Sequence, residues 1–384
     1  MDFVEDNNDG YGLYTRSILA LFVILLLSAL IVAPQLLREH QMGMDSYYYL
    51  HYAGNPQPGM PPVFFHLAQY DPVALSLLFT FLMLAVFYLI CNQLGVANAI
   101  LPPVLLLAAP SITFRMALGE DDLMGIVVCL LAILFYLKAQ KNRLWYLGVA
   151  ALLPMYFLVW RGIALFFVMI AFHEIVKRCK YAWGLLPLLY LQFTPDNLVG
   201  EQSWGFIFAP IVLLGLLTGL KGWNKTELFI RAWAGFFLAV GIFQAKYLWF
   251  AAFPLAIMLV DALKSEDKKK VQTLLIVMLG VGFFMGAQMV IQSQPTSQQM
   301  ADYQEIANLT DSIDNSWHYG HHLRYHGIEP LNDNLHPEWR VPDVNWENEW
   351  ALSHIPLGDD YRLVKNFTWS LLYQRVSASS HASL

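Results

Sequence analysis

Long apolar segments are the feature of this sequence that most restricts its fold. The first of them, residues 18–37, has no charged side chain and is as long as the roughly 20 residues that cross a bilayer as a helix. Similar segments recur over most of the chain. Charged residues make up only 14% of the sequence, against about 25% in soluble globular proteins. The sequence therefore predicts an α-helical integral membrane protein.

The apolar segments predict about eleven membrane-spanning helices. Their expected ranges are residues 15–37, 73–91, 94–114, 123–138, 144–160, 162–176, 181–194, 204–220, 227–243, 246–263 and 271–291. The acidic and polar residues 1–14 precede the first span. This pattern is typical of a retained first helix rather than of a cleaved signal peptide.

Basic residues in the predicted loops indicate how these helices are oriented. Cytoplasmic loops of membrane proteins carry an excess of Lys and Arg. The basic clusters fall on one side of the predicted bundle and comprise Lys138, Lys141, Arg143, Lys177, Arg178, Lys180, Lys221, Lys225, Lys264, Lys268, Lys269 and Lys270. This side should be cytoplasmic and should also hold the N-terminus. His173 and Glu174 are expected at the same interface.

The predicted orientation divides the chain into two domains. Residues 1–291 form the multi-spanning domain, and residues 292–384 follow the last span on the external side. The C-terminal part is polar and rich in Trp, His, Asn and Asp, and it is too aromatic for a disordered tail. We expect it to fold as a small external domain.

Acidic residues gather on the external side of the predicted bundle. They are Asp45, Glu120, Asp121, Asp122 and Glu201. Three consecutive carboxylates repel one another unless a cation neutralises them, and Mn2+ or Mg2+ prefers oxygen ligands. The alternative interpretations are helix capping by the three consecutive acids, a solvated acid in an aromatic belt for Asp45, and an ordinary polar loop for Glu201.

Two cations and one aromatic segment are predicted on the same external side. Arg161 ends one expected helix and Lys246 begins another. Each either extends toward the lipid interface or holds a phosphate group, for which Arg offers two parallel hydrogen bonds and Lys a point charge. Trp317, His318 and Tyr319 lie in a segment rich in histidine and aromatic residues, which is typical of a binding surface. Packing into a small core and a zinc site are the alternatives.

In their order along the chain, these segments resemble motifs of the catalytic subunit of oligosaccharyltransferase, a GT-C-type membrane glycosyltransferase. Residues 43–48 resemble its first-loop G-x-D-P-Y-Y motif, and residues 120–124 resemble its D-x-D motif followed by apolar residues. Residues 199–204 are similar to its V-S-E-H/Q-x-x-x-W motif. Lys246 stands where the family has Arg, residues 160–162 are similar to a W-G-G segment, and residues 316–321 resemble the W-W-D-Y-G-H/Y signature.

The resemblance implies a GT-C-like bundle with a small external C-terminal domain. It also implies a divalent metal cofactor, Mn2+ or Mg2+, surrounded by Asp45, Glu120, Asp122 and Glu201. In this family pattern, Asp45 and Glu201 would also bind the acceptor amide nitrogen. The metal would organise the carboxylates and balance their charge.

The resemblance further implies how the substrates bind. Lys246 would hold the phosphate of the lipid carrier, with Arg161 as a helper. Trp317, His318 and Tyr319 would bind the acceptor. Two residues depart from the family signature, since Ser316 replaces its first Trp and His318 replaces its Asp.

The expected function is the transfer of a glycan from a polyprenyl (pyro)phosphate carrier to a protein asparagine. One alternative is a GT-C enzyme that moves a single sugar from a polyprenyl phosphate to a glycan or lipid acceptor, which the altered signature favours. Another is a transporter or a non-catalytic assembly subunit. The expected partners are the lipid-linked donor, the protein or peptide acceptor and the bilayer of a plasma (inner) or ER-type membrane. The formal net charge of −6 argues against a nucleic-acid partner.

Overall fold

A computed structural model describes residues 10–37, 62–67, 70–96, 98–118, 121–159, 162–178, 225–243, 245–262, 268–293, 295–315, 320–330, 349–353, 357 and 361–375. The chain divides into two compact units. The first unit comprises Met1–Ala33 and Ser76–Met289, and the second comprises Pro34–Leu75 and Val290–Leu384. The C-terminal part of the second unit thus begins at Val290, close to residue 292. This unit also includes Pro34–Leu75, which belongs to the predicted multi-spanning domain.

Helices make up most of the described residues. They are α1 (Gly10–Val32), α2 (Pro62–Leu67), α3 (Pro72–Gln93), α4 (Leu101–Leu105), α5 (Pro110–Leu118), α6 (Asp121–Ala139), α7 (Trp145–Ala151), α8 (Met155–Leu158), α9 (Ile163–Arg178), α10 (Lys225–Phe243), α11 (Ala252–Ala262), α12 (Lys268–Ser293), α13 (Ser297–Ala307) and α14 (Gly320–Tyr325). Short 3-10 helices occupy Ala33–Leu37, Leu106–Ala108 and Ala245–Ala251.

Three helical segments within the described residues are long and apolar enough to cross a membrane. They are Ser17–Leu36, Val73–Gln93 and Asp122–Ala139. A shorter apolar stretch, Ile276–Ile291, lies in α12. Large apolar side chains are exposed on α1 and α12, as at Ile18 (68% exposed) and Phe284 (69% exposed). Because such surfaces are unfavourable in water and favourable against lipid tails, these helices fit a helical membrane protein.

The expectation of about eleven spans is wrong for the part of the chain that the structure describes. Prolines interrupt several expected spans, because proline lacks the N–H of an intrahelical hydrogen bond and its ring clashes with the preceding turn. The expected span 94–114 is replaced by α4, a 3-10 turn and α5. Pro102 and Pro103 lie in the first turn of α4, and Pro110 begins α5.

Two further expected spans are divided in the same way. The span 144–160 is replaced by α7 and the single-turn helix α8, with Pro154 immediately before α8. The span 246–263 is replaced by the 3-10 helix Ala245–Ala251 and by α11, which has Pro254 in its first turn. Helix α9, with 16 residues, is shorter than an ordinary span. The expected spans 181–194 and 204–220 lie outside the described residues.

Aromatic side chains form the centre of the first unit. Trp233 of α10 stacks on Phe253 of α11, with ring centroids 6.2 Å apart. Phe166 of α9 contacts Phe237 of α10 at 4.7 Å and Phe250 of the 3-10 helix Ala245–Ala251 at 4.9 Å. Because these rings are buried, they hold that 3-10 helix firmly against α9 and α10.

Glycines allow α12 to approach residues 106–113 closely. A Cβ added at Gly282 would lie 2.5 Å from the Ala108 carbonyl oxygen, and one added at Gly286 would lie 2.7 Å from Thr113 Cβ. Both distances are too short for normal contacts, so glycine is required at both positions. A Cβ added at Gly280 would meet no atom within 4 Å. Helix α12 therefore supports the chain segment that leads into α5.

A five-stranded sheet forms the framework of the second unit. Its strands are β1 (Ser312–Asn315), β2 (Glu329–Pro330), β3 (Trp350–Ser353), β4 (Tyr361–Asn366) and β5 (Leu371–Arg375), in the spatial order β2-β1-β3-β5-β4. Strand β1 is parallel to β2 and β3, and β5 is antiparallel to β3 and β4. In the β1–β3 pair, Asp314 is opposite Ala351 and Asn315 is opposite Leu352.

Helix α13 joins this sheet through a shared core. Its first turn is closed by a capping box, in which the Thr296 hydroxyl accepts from the Gln299 N–H at 3.1 Å and the Gln299 side chain accepts from the Thr296 N–H at 2.8 Å. The core of the unit consists of Tyr303, Ile306, Ile313, Leu323, Ile328, Leu352, Phe367 and Leu372. These residues come from α13, α14, β1, β3 and β5 and from the loop positions Ile328 and Phe367, so one core joins these elements.

Candidate functional site

Most of the site residues predicted from sequence lie outside the described residues. These are Asp45, Glu120, Glu201, Arg161, Trp317, His318 and Tyr319, whose proposed roles stay predictions. Two others fall within described elements. Asp122 lies in α6, and Lys246 lies in the 3-10 helix Ala245–Ala251.

Asp122 lies in the first turn of α6 and forms an ion pair with Arg115. A carboxylate at this position faces the positive end of the helix dipole, as the capping interpretation requires. Its Oδ2 accepts a hydrogen bond from Arg115 Nη1 at 2.7 Å. The side chains are 28% (Arg115) and 27% (Asp122) exposed, so this pair contributes no more than about 1 kcal/mol. Because Arg115 is in the last turn of α5, the pair links the end of α5 to the start of α6.

Arg115 also contacts an aromatic ring of the segment that carries Lys246. Its Cζ lies 5.6 Å from the centre of the Trp249 ring, within the range of a cation–π contact. Tyr247, on the same 3-10 helix, is close enough to Asp122 to interact with its negative charge. The end of α5, the start of α6 and a 3-10 helix distant from both in sequence therefore meet here. We call this part of the first unit, defined by Arg115, Asp122, Tyr247 and Trp249, the Asp122 end.

Buried contacts fix α5 and thereby the position of Arg115. The buried Thr80 of α3 donates its hydroxyl to the Met116 carbonyl oxygen at 2.8 Å. Met116 and Ala117 are buried, and Thr113 lies against Gly286 of α12. Arg115 therefore extends from a helix end that is held on two sides, which limits the positions its guanidinium can reach.

Arg115 and Trp249 are not among the site residues predicted from the sequence. A signal for Arg115 is present in the sequence, because a cation at the end of an apolar segment closely precedes three acids. No comparable signal exists for Trp249. Its contact with Arg115 joins two segments far apart in the chain, and only the tertiary packing of the 3-10 helix creates it.

Asp122 has the oxygen chemistry that Mn2+ and Mg2+ prefer. The residues that the structure describes contain no group of three or more His, Cys, Asp or Glu side chains able to hold a metal ion. The other predicted ligands, Asp45, Glu120 and Glu201, lie outside those residues. The carboxylate of Asp122 is therefore a suitable ligand for the predicted metal. The arrangement of four carboxylates around that metal stays a prediction.

A polar network links α6, α7 and α9 at the other end of α6. Glu174 Oε1 accepts hydrogen bonds from Tyr136 Oη at 2.5 Å and from Lys177 Nζ at 3.0 Å. Lys177 Nζ also donates to Gln140 Oε1 at 2.9 Å. Gln140 Nε2 in turn donates to Tyr146 Oη at 3.1 Å. We call this part of the first unit, defined by Tyr136, Gln140, Glu174 and Lys177, the Lys177 end.

His173 extends the network into the helix core. Its Nδ1 lies 2.6 Å from Tyr136 Oη, and both side chains are buried. Tyr136 has one hydroxyl hydrogen, which it gives to Glu174, so His173 Nδ1 is the donor to the phenol oxygen. The imidazole also packs edge-on against Phe229 of α10 at 5.1 Å. These groups bind one another, so the arrangement stabilises the junction of the three helices.

The contacts at both ends define the direction of the central helices. Helices α6 and α9 both end at the Lys177 end, with Lys138 in the last turn of α6 and Lys177 and Arg178 in the last turn of α9. Helix α10 begins there, since Phe229 packs on Tyr136. It leads to the 3-10 helix at the Asp122 end. Basic clusters from separate loops are thus gathered at one end of the first unit.

The distance between the two ends matches a membrane. The segment Asp122–Ala139 is about 26 Å long at the rise of an α-helix. The hydrocarbon core of a bilayer is about 30 Å thick. The residues between Asp122 and Lys138 are uncharged. Charges at both termini and none between them are typical of a helix that spans a bilayer.

No protein-family model and no curated protein matches this chain. The function must therefore be inferred from the chemistry of its own residues. At the Asp122 end, an acid and a cation form a partly exposed ion pair beside the buried ring of Trp249, whereas the network at the Lys177 end includes the buried polar side chains of Tyr136 and His173.

Proposed function

We propose that the protein is a GT-C-like membrane glycosyltransferase, similar to oligosaccharyltransferase, that transfers a glycan from a polyprenyl (pyro)phosphate carrier to a protein asparagine. The observation that carries the proposal is the meeting of Asp122, Arg115 and the segment that contains Lys246. An acid and a cation beside one another suit a reaction that must bind an acceptor and stabilise a departing phosphate.

The reaction needs no nucleophile from the protein. The acceptor amide nitrogen forms a bond to the anomeric carbon of the sugar, and the bond from that carbon to the carrier phosphate oxygen breaks. The phosphate keeps the electron pair, and the nitrogen loses a proton. In this proposal Asp45 and Glu201 bind the amide, while Lys246 and Arg161 hold the phosphate. Positioning and electrostatic stabilisation supply most of the rate.

A divalent metal completes the proposed site. Asp122, together with Asp45, Glu120 and Glu201, would bind Mn2+ or Mg2+, which would supply positive charge that organises these carboxylates. Arg115 is a second cation for Asp122 in this arrangement. Through its contact with Trp249, Arg115 links this carboxylate to the segment that contains Lys246.

Acceptor recognition is proposed for Trp317, His318 and Tyr319. A histidine ring can hydrogen-bond a hydroxyl group as donor or acceptor. His318 is therefore proposed to contact the Ser or Thr hydroxyl of an Asn-x-Ser/Thr acceptor, a role that the resemblance gives to an Asp.

The proposed orientation has the Lys177 end in the cytoplasm and the Asp122 end outside. The gathering of Lys138, Lys177 and Arg178 at one end supports it through the positive-inside rule. A multi-pass location in a plasma (inner) or ER-type membrane follows. A transporter would be expected to carry ionisable residues at mid-membrane in broken helices, and α6 has no charged residue between its ends.

A transfer assay in detergent or liposomes tests this function. The full-length protein is supplied with Mn2+, a polyprenyl-linked glycan and a labelled peptide that contains Asn-Ala-Thr, with a Gln-Ala-Thr peptide as the matched control. Glycosylation of only the Asn peptide is the expected result. Donor binding without transfer to either peptide would contradict it. Transfer of one sugar to a glycan or lipid acceptor under these conditions would support the single-sugar alternative.

A further inference from the structure

A turn rich in basic residues joins α6 to α7 at the Lys177 end. Lys138 lies in the last turn of α6, and Lys141 and Arg143 follow it closely. The backbone N–H groups of Lys141 and Asn142 both donate to the Lys138 carbonyl oxygen at 3.0 Å. The Trp145 N–H donates to the Asn142 carbonyl oxygen at 3.1 Å. These bonds give the turn a defined shape, and we call residues 138–143 the basic turn.

The end of α9 adds two further cations beside the basic turn. Lys177 Nζ donates to Gln140 Oε1 at 2.9 Å, so α9 contacts the turn directly. Arg178 is the last residue of α9 and is exposed, as are Lys141 and Arg143. The side chains of these three exposed cations form no ion pair with any residue that the structure describes. Their charges are therefore accessible to an anion.

Few acidic groups offset these cations. The sequence contains no acid between Asp122 and Glu174. Glu174 is already bound by Tyr136 and Lys177. Glu227 lies in the first turn of α10, which also begins at this end. Among the side chains that the structure describes here, cations outnumber acids, so the surface around the basic turn carries a net positive charge.

Apolar side chains are exposed directly beside the basic turn. No residue of α7 is buried, and Leu144 and Leu147 are each 70% exposed. The inner side of α7 rests on α6, where the ring of Trp145 lies 5.4 Å from that of Phe135. Exposed apolar surface is unfavourable in water and favourable against lipid tails. Because the turn follows directly after the apolar segment Asp122–Ala139, it is expected at the depth of the lipid headgroups.

We infer that the basic turn binds an anionic phospholipid in the leaflet next to the Lys177 end. Lys141, Arg143 and Arg178 bind the phosphate of the headgroup, for which Arg offers two parallel hydrogen bonds and Lys a point charge. Leu144 and Leu147 contact the acyl chains. A free phosphate could make only the first set of contacts, so the occupant is a lipid. Basic clusters beside a span attract anionic lipids in this way.

This lipid site is separate from the proposed glycosyl transfer and goes beyond it. The cations that form it lie at the opposite end of α6 from Asp122. The lipid therefore stays unchanged by any reaction at the Asp122 end, and its binding can be measured without donor or acceptor. Failure of the transfer assay would overturn the proposed function and leave this inference standing.

The test measures lipid binding to the full-length protein in a neutral detergent at low salt. The probe is phosphatidylglycerol with a fluorescent acyl chain, and labelled phosphatidylcholine is the matched neutral probe. The wild type should bind phosphatidylglycerol about tenfold more tightly or better. Lys141→Gln combined with Arg143→Gln should weaken this binding about tenfold to thirtyfold, because each cation near a membrane surface contributes about fivefold. Binding of phosphatidylcholine should stay the same.

Arg362→Gln combined with Lys365→Gln is the control, because it removes the same charge from β4 in the second unit. It should leave the affinity for phosphatidylglycerol unchanged. Glycerol phosphate in large excess should not displace the probe, whereas unlabelled phosphatidylglycerol should. Equal binding of the two lipids by the wild type, or unchanged binding in the turn variant, would overturn the inference. Equal weakening by the β4 variant, or displacement by glycerol phosphate, would also overturn it.

Discussion

The two ends of α6 both carry charged side chains, but they use them differently. At the Lys177 end, Glu174 is bound by Tyr136 and Lys177, and Tyr136 also binds the buried His173. At the Asp122 end, an ion pair between partly exposed groups and a cation–π contact join Arg115 to two other segments. The ion pairs at the two ends are similarly exposed, but only the first arrangement continues to buried polar side chains, those of Tyr136 and His173.

This difference suggests that the Lys177 end stabilises the fold and that the Asp122 end binds substrate. Removing the buried hydroxyl of Tyr136 leaves its partner His173 unsatisfied, and a buried polar group without a partner costs about 1–3 kcal/mol. A partly exposed ion pair contributes about 1 kcal/mol or less, so a ligand can replace one partner with little loss of stability. We therefore expect changes at the Lys177 end to alter stability and changes at the Asp122 end to alter activity.

Removal of the divalent metal should have the largest effect of these changes. This effect should be a loss of activity without a loss of stability. The proposed carboxylate site would lose the charge that organises it, and turnover should fall by more than about 100-fold. The measurement is peptide transfer after stringent chelation and removal of the chelator. Added Mn2+ should restore the rate. Full turnover in the chelated sample would show that the Asp122 end does not work through a metal.

Gly282→Ala should lower the free energy of unfolding, because it disturbs the packing of α12 that supports the Asp122 end. The added Cβ would lie 2.5 Å from the Ala108 carbonyl oxygen, so α12 or the segment before α5 must move. Overpacking of this kind destabilises by about 1–3 kcal/mol. Thermal unfolding in detergent measures the change.

Gly280→Ala is the matched control for that variant, since its Cβ has open space. It should stabilise α12 by up to about 1 kcal/mol through helix propensity. Equal unfolding temperatures for the two variants would contradict the close contact between α12 and residues 106–113.

Tyr136→Phe should reduce stability without reducing activity per folded molecule. It removes the hydroxyl that bonds to both His173 and Glu174, which should lower the free energy of unfolding by about 1–3 kcal/mol. Tyr146→Phe, at the exposed edge of the network, should change it by less than about 0.5 kcal/mol. A loss of kcat in folded Tyr136→Phe protein would contradict the expectation that changes at the Lys177 end alter stability and not activity.

Arg115→Lys should have the smallest effect on activity. It tests whether the contact between Arg115 and Trp249 contributes to donor binding at the Asp122 end. Lysine keeps the positive charge for Asp122 but loses the flat guanidinium over Trp249, a contact worth about 0.5–1 kcal/mol. The expected result is a decrease of about twofold to fivefold in kcat/KM for the lipid-linked donor. The exposed Arg143→Lys is the control and should behave like the wild type. A larger loss for Arg143→Lys would be inconsistent with donor binding at the Asp122 end.

Long uninterrupted apolar stretches made part of the fold predictable. The expected spans 15–37, 73–91 and 123–138 are confirmed as helices long and apolar enough to cross a membrane. The expected spans 94–114, 144–160 and 246–263 were wrong as single helices, because hydropathy does not register the turns that Pro110, Pro154 and Pro254 impose. A proline-aware interpretation of the same sequence would have divided them.

The site could be predicted only where charged residues lie next to apolar segments in the sequence. The lysine loops placed Lys138 and Lys177 on one side, and the structure gathers both at one end of the first unit. The acidic segment indicated Asp122 without its partner. The Arg115–Trp249 contact and the bond between Tyr136 and His173 could not be predicted, because they join separate helices through tertiary packing.

The most direct test of the account compares Asp122→Asn with Tyr136→Phe in one transfer assay, at equal concentrations of folded protein. Asp71→Asn is the matched control, because Asn replaces Asp well as a cap for the first turn of α3. The account predicts that Asp122→Asn loses activity by about 100-fold or more, while Tyr136→Phe and Asp71→Asn keep the wild-type rate. Normal transfer by Asp122→Asn, or an equal loss in Tyr136→Phe, would contradict it.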